Sequence, residues 1–227
     1  MDVNTFDHVA LWTDARDALA TVLTECCDMH EIERTDRFTL VGGDARLGKL
    51  TLFDAAGRRE AGVLERVVLR VAEPEAVRAR LEAAGVATDA SNGLITAETE
   101  AGLALGLVRN EESDVTDLDH VVLRVPIPES TVAGLEELGL ERAGDRLRIS
   151  GKELRVHEGA ADESESPLLH HLAFLVDSAD DVEREAHARG LEIVDVVDAP
   201  NTRAVFVWGP DRIKLEYVEH KPGFSLV

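Results

Sequence analysis

The sequence predicts an α+β protein of four βαβββ units paired into two cup-shaped domains. Four segments open alike: "FDHVALWT" (6–13), "LERVVLRV" (64–71), "LDHVVLRV" (118–125) and "LHHLAFLV" (169–176). They recur roughly every 55 residues, too long a period for a small-repeat solenoid. Each opening leads into a helical stretch with its own start and stop signals, and each helix into short alternating strands.

The helices follow in order. In unit 1 the helix is "TDARDALATVLTECC", with Thr13 able to cap its start. In unit 2, "EPEAVRARLEAAG" has Pro74 in its first turn and Gly85 as its stop. In unit 3, "PESTVAGLEELG" ends at Gly139, and in unit 4 "SADDVEREAHARG" runs from Ser178 to Gly190. "DRLRIS-GK-ELRVHE" reads as a hairpin with a Gly-Lys turn. One unit is too small to bury its own sheet, so units should pair. The acidic linker "RNEESDVTD" (109–117) places units 1 and 2 in an N-terminal domain, 1–113, and units 3 and 4 in a C-terminal domain, 114–227.

Composition narrows the function classes. The 227 residues are 44% hydrophobic and 30% charged, the profile of a soluble globular chain. Acidic residues outnumber basic ones 45 to 24, and the net charge of −21 repels nucleic acid and anionic membrane. No apolar run approaches the roughly 20 residues of a membrane span, and "MDVNTFDHVALWTD" lacks the pattern of a secretory signal. A cytoplasmic location is expected. The adjacent Cys26 and Cys27 read as buried, reduced helix residues. Dispersed acids with only four lysines fit a halophile protein, an ordinary acidic protein being the alternative.

Strict strand alternation places the chemistry. In unit 3, His120 lies on the face opposite Val121, Leu123 and Val125; in unit 4, His171 lies opposite Leu172, Phe174 and Val176. His170 then belongs to the helix-facing side, at an edge. In "DRIKLEYVE", Glu216 is a carboxylate on a strand otherwise built for burial, and a buried charge needs a partner. His120, His171 and Glu216 on one concave face match the two-histidine, one-carboxylate triad that binds Fe(II) and leaves coordination positions open. The same columns of units 1 and 2 hold His8, Arg66 and Gly106, so the N-terminal pair should bind no metal.

At these residues the chain resembles the vicinal-oxygen-chelate superfamily (glyoxalases, bleomycin-resistance proteins and extradiol dioxygenases) over nearly its whole length. In layout it is most similar to type I extradiol catechol dioxygenases. "VFVWGPDRIKLEY" resembles the closing signature of that family. The resemblance implies His120, His171 and Glu216 as ligands of Fe(II), with Mn, Zn or Ni as alternatives. It also implies a catechol-like small-molecule substrate, O₂ as co-substrate, and homo-oligomers as a further expectation. Phe206 stands where the family usually has tyrosine, and "VVDAPNTR" lacks the family's loop histidine. His157 is the candidate acid–base residue. Arg146, Arg148 and Arg155 would favour an anionic substrate if they line the cup, and Phe206 and Trp208 share a face that could form an apolar wall. A glyoxalase-like isomerase or lyase and a non-catalytic small-molecule-binding protein are the alternative functions. His30, His187 and His220 read as solvent-facing.

Overall fold

A computed structural model describes residues 1–161 and 164–226. Unit 1 comprises β1 (Thr5–Thr13), α1 (Arg16–Cys26), β2 (His30–Arg34), β3 (Phe38–Gly42) and β4 (Lys49–Asp54). Unit 2 comprises β5 (Leu64–Val71), α2 (Pro74–Ala83), β6 (Thr88–Ser91), β7 (Leu94–Glu98) and β8 (Ala104–Arg109). Unit 3 comprises β9 (Asp117–Val125), α3 (Pro128–Glu137), β10 (Glu141–Ala143), β11 (Arg146–Ile149) and β12 (Lys152–Glu158). Unit 4 comprises β13 (Leu169–Leu175), α4 (Ala179–Arg189), β14 (Ile193–Asp198), β15 (Thr202–Trp208), a 3₁₀ turn at Pro210–Arg212, and β16 (Lys214–His220). The fold is α+β, as expected.

Local signals act where the sequence puts them. Pro74 opens α2, and the Ser178 hydroxyl accepts the Asp181 N–H to cap α4, which ends at Gly190 in the left-handed region (φ 68°). Thr13 accepts the Ala15 N–H one residue ahead of α1. The β11–β12 turn is Ser150-Gly151 rather than Gly-Lys. Both residues have positive φ (47° and 79°), which matches the right-handed twist of the flanking strands.

The pairing of units differs from the expectation. One eight-stranded sheet runs β14-β15-β16-β13-β1-β4-β3-β2 and joins units 1 and 4. The other runs β10-β11-β12-β9-β5-β8-β7-β6 and joins units 2 and 3. The division at 113/114 therefore does not separate the sheets. Residues 166–168, ahead of β13, lie beside Glu60 of the segment between β4 and β5. The Glu60 N–H donates to Ser166 O (3.1 Å), and the Leu168 N–H donates to Glu60 O (2.6 Å). The four opening strands carry nearly the same apolar pattern, so hydrophobicity alone satisfies either pairing.

The apolar faces and helices form one continuous core in which Phe6, Leu11, Phe174 and Tyr217 are fully buried. The Tyr217 hydroxyl donates to Leu138 O at 2.6 Å, tying unit 4 to unit 3. Cys26 and Cys27 are buried and free.

Four bulges break the alternation assumed above. Phe6 pairs with Phe174 but His8 with Ala173, so Asp7 is the extra residue; Ala10 pairs with His171 but Leu11 with Leu169, so His170 is extra. Glu65 and Asp119 are the corresponding extra residues of the second sheet. A bulge re-aims side chains, and here each one brings two consecutive side chains into contact: Asp7 with His8, Glu65 with Arg66, Asp119 with His120 and His170 with His171.

Candidate metal centre

The first strands of units 1 and 4 lie antiparallel at the middle of their sheet, and β16 lies beside β13. This brings together His8, His171 and Glu216, all largely buried. His8 Nε2 is 3.0 Å from His171 Nε2 and 3.2 Å from Glu216 Oε2, and His171 Nε2 is 2.7 Å from the same oxygen. Ligands at right angles and about 2.1 Å from one ion stand about 3.0 Å apart, so the triangle has the size of a facial triad. Its chemistry points the same way. Three contacts need three protons, and two ring nitrogens offer at most two, so one contact always lacks its own proton. A single cation satisfies all three.

Of the expected ligands, the structure unites His171 and Glu216 and leaves out His120, which lies on the other sheet and pairs through Nδ1 with Asp119 at 2.5 Å. His8 takes its place. The signal for His8 was its column, shared with His120 and His171; only the pairing of units decides which two histidines meet. Phe206 and Trp208 do lie on this concave face. Phe206 is opposite Glu216 with its ring 5.2 Å from His171, and Trp208 is opposite Lys214. Arg146, Arg148, Arg155 and His157 belong to the other sheet, and the half-exposed His157 meets Glu65 at 3.2 Å.

An outer layer holds the triad. Asp7 receives His8 Nδ1 at 2.7 Å, Lys49 Nζ at 2.9 Å and His220 Nε2 at 3.2 Å. This carboxylate–histidine arrangement fixes the ring so that Nε2 faces inward. His220 thus belongs to the site and stacks on Phe224 (3.9 Å), contrary to the solvent-facing expectation. His170 is turned inward by its bulge. Its Nδ1 is 2.6 Å from His171 Nδ1, and its Nε2 is 3.0 Å from Lys214 Nζ. Both adjacent histidines therefore serve one site, which strict alternation had ruled out.

Burial opposes charge on His8, but Glu216 and Asp7 outweigh it and raise the imidazole to about 9. Burial also opposes charge on Glu216, yet His171 and His8 hold its carboxyl down to about 2. Burial dominates at His171, which is lowered, and at His170, where it acts with the neighbouring His171 and Lys214 to bring the ring to about 3. The ion-free site is therefore a charged His8 beside a carboxylate and two neutral rings.

The second sheet repeats the layout with different chemistry. Arg66 stands in the column of His171, Gly106 (paired with Val68) in that of Glu216, and Arg155 (paired with Val122) in that of Thr51. A Cβ on Gly106 would come within 2.8 Å of Val68 and 3.1 Å of the Arg66 stem, so the arginine occupies the space a carboxylate would need. Guanidinium groups cannot bind a cation, and this cup holds no comparable triad among the described residues.

No protein-family model matches the sequence, and no curated protein matches it. Solved structures do. A candidate dioxygenase from Bacillus subtilis superposes with a TM-score of 0.79 at 18% identity, covering 98% of this chain and 87% of the other. Glyoxalase I from Zea mays gives 0.75 at 16% identity, covering 95% and 92%. The cppA protein from Streptococcus pneumoniae gives 0.64 at 14% identity, covering 96% and 100%. Among the described residues, no helix is long and apolar enough to cross a membrane. Four βαβββ units in two mixed sheets, superposing at full length on these proteins, give the chain the fold of the vicinal-oxygen-chelate superfamily.

Proposed function

We propose that the protein is a metal-dependent enzyme holding one divalent ion through His8 Nε2, His171 Nε2 and Glu216 Oε2. Extradiol-type cleavage of a catechol-like small molecule by O₂ is the reaction this centre suits best, with Fe(II) as its ion. The observation that carries the reading is the donor triangle, with no fourth His, Cys or acid joining it among the described residues. Thr51 stands in the column of Glu216, because Ala10 pairs with Thr51 as Ala173 pairs with Glu216. Three protein ligands leave room for two adjacent substrate oxygens and a further ligand. The ion would supply a template and an electron path between substrate and O₂.

The chain's own groups handle orientation and protons. Asp7 keeps the His8 proton on Nδ1. His171 Nδ1 lies 2.6 Å from His170 Nδ1, and His170 Nε2 lies 3.0 Å from Lys214 Nζ, so these side chains form one line of polar contacts from the candidate ligand His171 to the cavity beyond. His170 thus takes the acid–base place first expected of His157. Phe206 and Trp208 supply the apolar wall and exclude water.

A second reading, an isomerase or lyase using Zn, Ni or Mn, draws support from the likeness to glyoxalase I, since the same donors suit those ions. Metal analysis of untagged protein separates the two. One equivalent of iron with O₂ uptake on a catechol panel supports the dioxygenase. Zinc, nickel or manganese without O₂ uptake supports the isomerase or lyase. No bound metal, with His171→Ala indistinguishable from wild type in Mn(II) binding, would leave only a binding protein.

A further inference from the structure

One end of the same concave face opens into a cavity of about 420 Å³ whose lining includes Trp12, His170, Trp208, Arg212 and Lys214. That volume suits a small organic ligand. Its walls are flat and apolar, and its charges are unusual for this protein. In a chain of net charge −21, most arginines are paired with carboxylates, as Arg34, Arg78 and Arg142 are. Among the described residues, no carboxylate lies within ion-pair distance of Arg59, Arg212 or Lys214, and all three stand around this cavity's tryptophans. Arg59 lies 5.7 Å from the Trp12 ring centre, Arg212 4.6 Å and Lys214 5.8 Å from that of Trp208. The Arg59 Nε–H is buried without an acceptor. Asp211, the acid at the rim, is engaged by the Thr131 hydroxyl.

Arg212 is placed deliberately. Asp211 and Arg212 both hold left-handed backbone (φ 50° and 54°), strained for non-glycine residues. The Thr131–Asp211 bond and the Gly209 N–H to Ile213 O bond (2.8 Å) keep the turn in that shape.

We infer that this cavity binds the carboxylate of a flat, apolar-bodied acid, clamped between Trp12 and Trp208 with its charge on Lys214 and Arg212. Lys214 and Glu216 are same-face neighbours two residues apart on β16, a spacing of about 7 Å. A ligand anchored at Lys214 therefore reaches the triad one ring length away. The substrate of the centre is then an aromatic or conjugated monocarboxylate whose reacting atoms lie about that far from its acid group. This last step rests on the proposed metal site; the binding of the acid group does not.

Trp12 and Trp208 are the chain's only tryptophans, so intrinsic fluorescence reports this cavity directly. The probes are benzoate and its neutral isostere benzamide, titrated into wild type, Lys214→Gln and Lys214→Arg, with Mn(II) binding measured on each. A saturable change with benzoate, at least about tenfold tighter than with benzamide, is expected. Lys214→Gln should abolish that preference, while Lys214→Arg keeps it. Equal affinity for the two probes, no saturable change, or a preference that survives Lys214→Gln overturns the inference. Benzoate preference in a protein that binds no Mn(II) upholds the acid pocket and overturns the metal reading. Mn(II) binding without benzoate preference does the reverse.

Discussion

Asp7→Asn changes one oxygen to an amide nitrogen at the point where the fold and the candidate centre share a side chain. The carboxylate and Lys49 are both almost wholly buried, 2.9 Å apart. Removing one partner of a buried pair costs about 3–5 kcal/mol, because the other charge stays in place without its counterion. Lys49 keeps two acceptors, Ala45 O at 2.7 Å and Leu47 O at 3.0 Å, so the lower end, about 3 kcal/mol, is expected. In a protein of this length that lowers Tm by about 6–12 °C. The same substitution loosens His8, and loss of such an outer-layer anchor lowers ion affinity about 10–100-fold. The comparison is Asp119→Asn, which alters the equivalent residue beside His120 in the other sheet. Thermal unfolding of ion-free protein and Mn(II) titration should show both effects for Asp7→Asn and neither for Asp119→Asn. If Asp119→Asn weakens Mn(II) binding as much as Asp7→Asn, the centre does not lie between units 1 and 4, and the reasoning fails.

Further outcomes follow from the same geometry. His8→Ala should abolish stoichiometric Mn(II) binding while His120→Ala leaves it intact; equilibrium dialysis of both variants decides the matter. An ion must displace the His8 proton, whose pKa is raised to about 9, so apparent affinity should climb about tenfold per pH unit from 7 to 9 and then level. A flat profile there would show that His8 is not a ligand. In ion-free protein the raised His8 adds stability, on the order of 3 kcal/mol, that is complete below pH 6.5 and lost as pH rises through about 9. Glu216, depressed to about 2, adds stability that is present above 4.5 and fades as pH falls toward 2; neutral His170 opposes folding increasingly as pH drops below 6.5. Urea unfolding across this range should therefore show a maximum near pH 6.5 and fall on both sides of it. Gly106→Ala should destabilise by about 1–3 kcal/mol through its clash with Val68, read from the urea midpoint. Dialysis into low salt should unfold the protein if its acidic coat is a halophile adaptation, and circular dichroism unchanged in low salt would refute that idea.

The repeat, the helix signals and the opening columns were legible because each depends on residues close together in the chain. The columns even included the third member of the observed cluster, since His8 aligns with His120 and His171. What the pattern could not carry was the partnership of units, which shows only in which strands lie side by side, with the connectors meeting in a parallel bridge at Glu60 and Pro167. The bulges were equally hidden. Nothing in "FDHV" or "LHHL" announces an unpaired Asp7 or His170, because a bulge appears only against the opposing strand. Both errors came from treating a strand as if its own period settled its neighbours.

The pairing of the first unit with the last sets when the His8–His171–Glu216 cluster can form. Its first and second histidines are 163 positions apart, and the strand carrying the second must zip onto the strand carrying the first. At a synthesis rate of about 5–20 residues per second, the opening strand waits about 8–30 s on the ribosome for its partner. Units 2 and 3 can complete their sheet in that interval. The sheet of units 1 and 4 closes last, so a nascent chain halted before unit 4 would hold a finished second sheet and an open, aggregation-prone edge on β1.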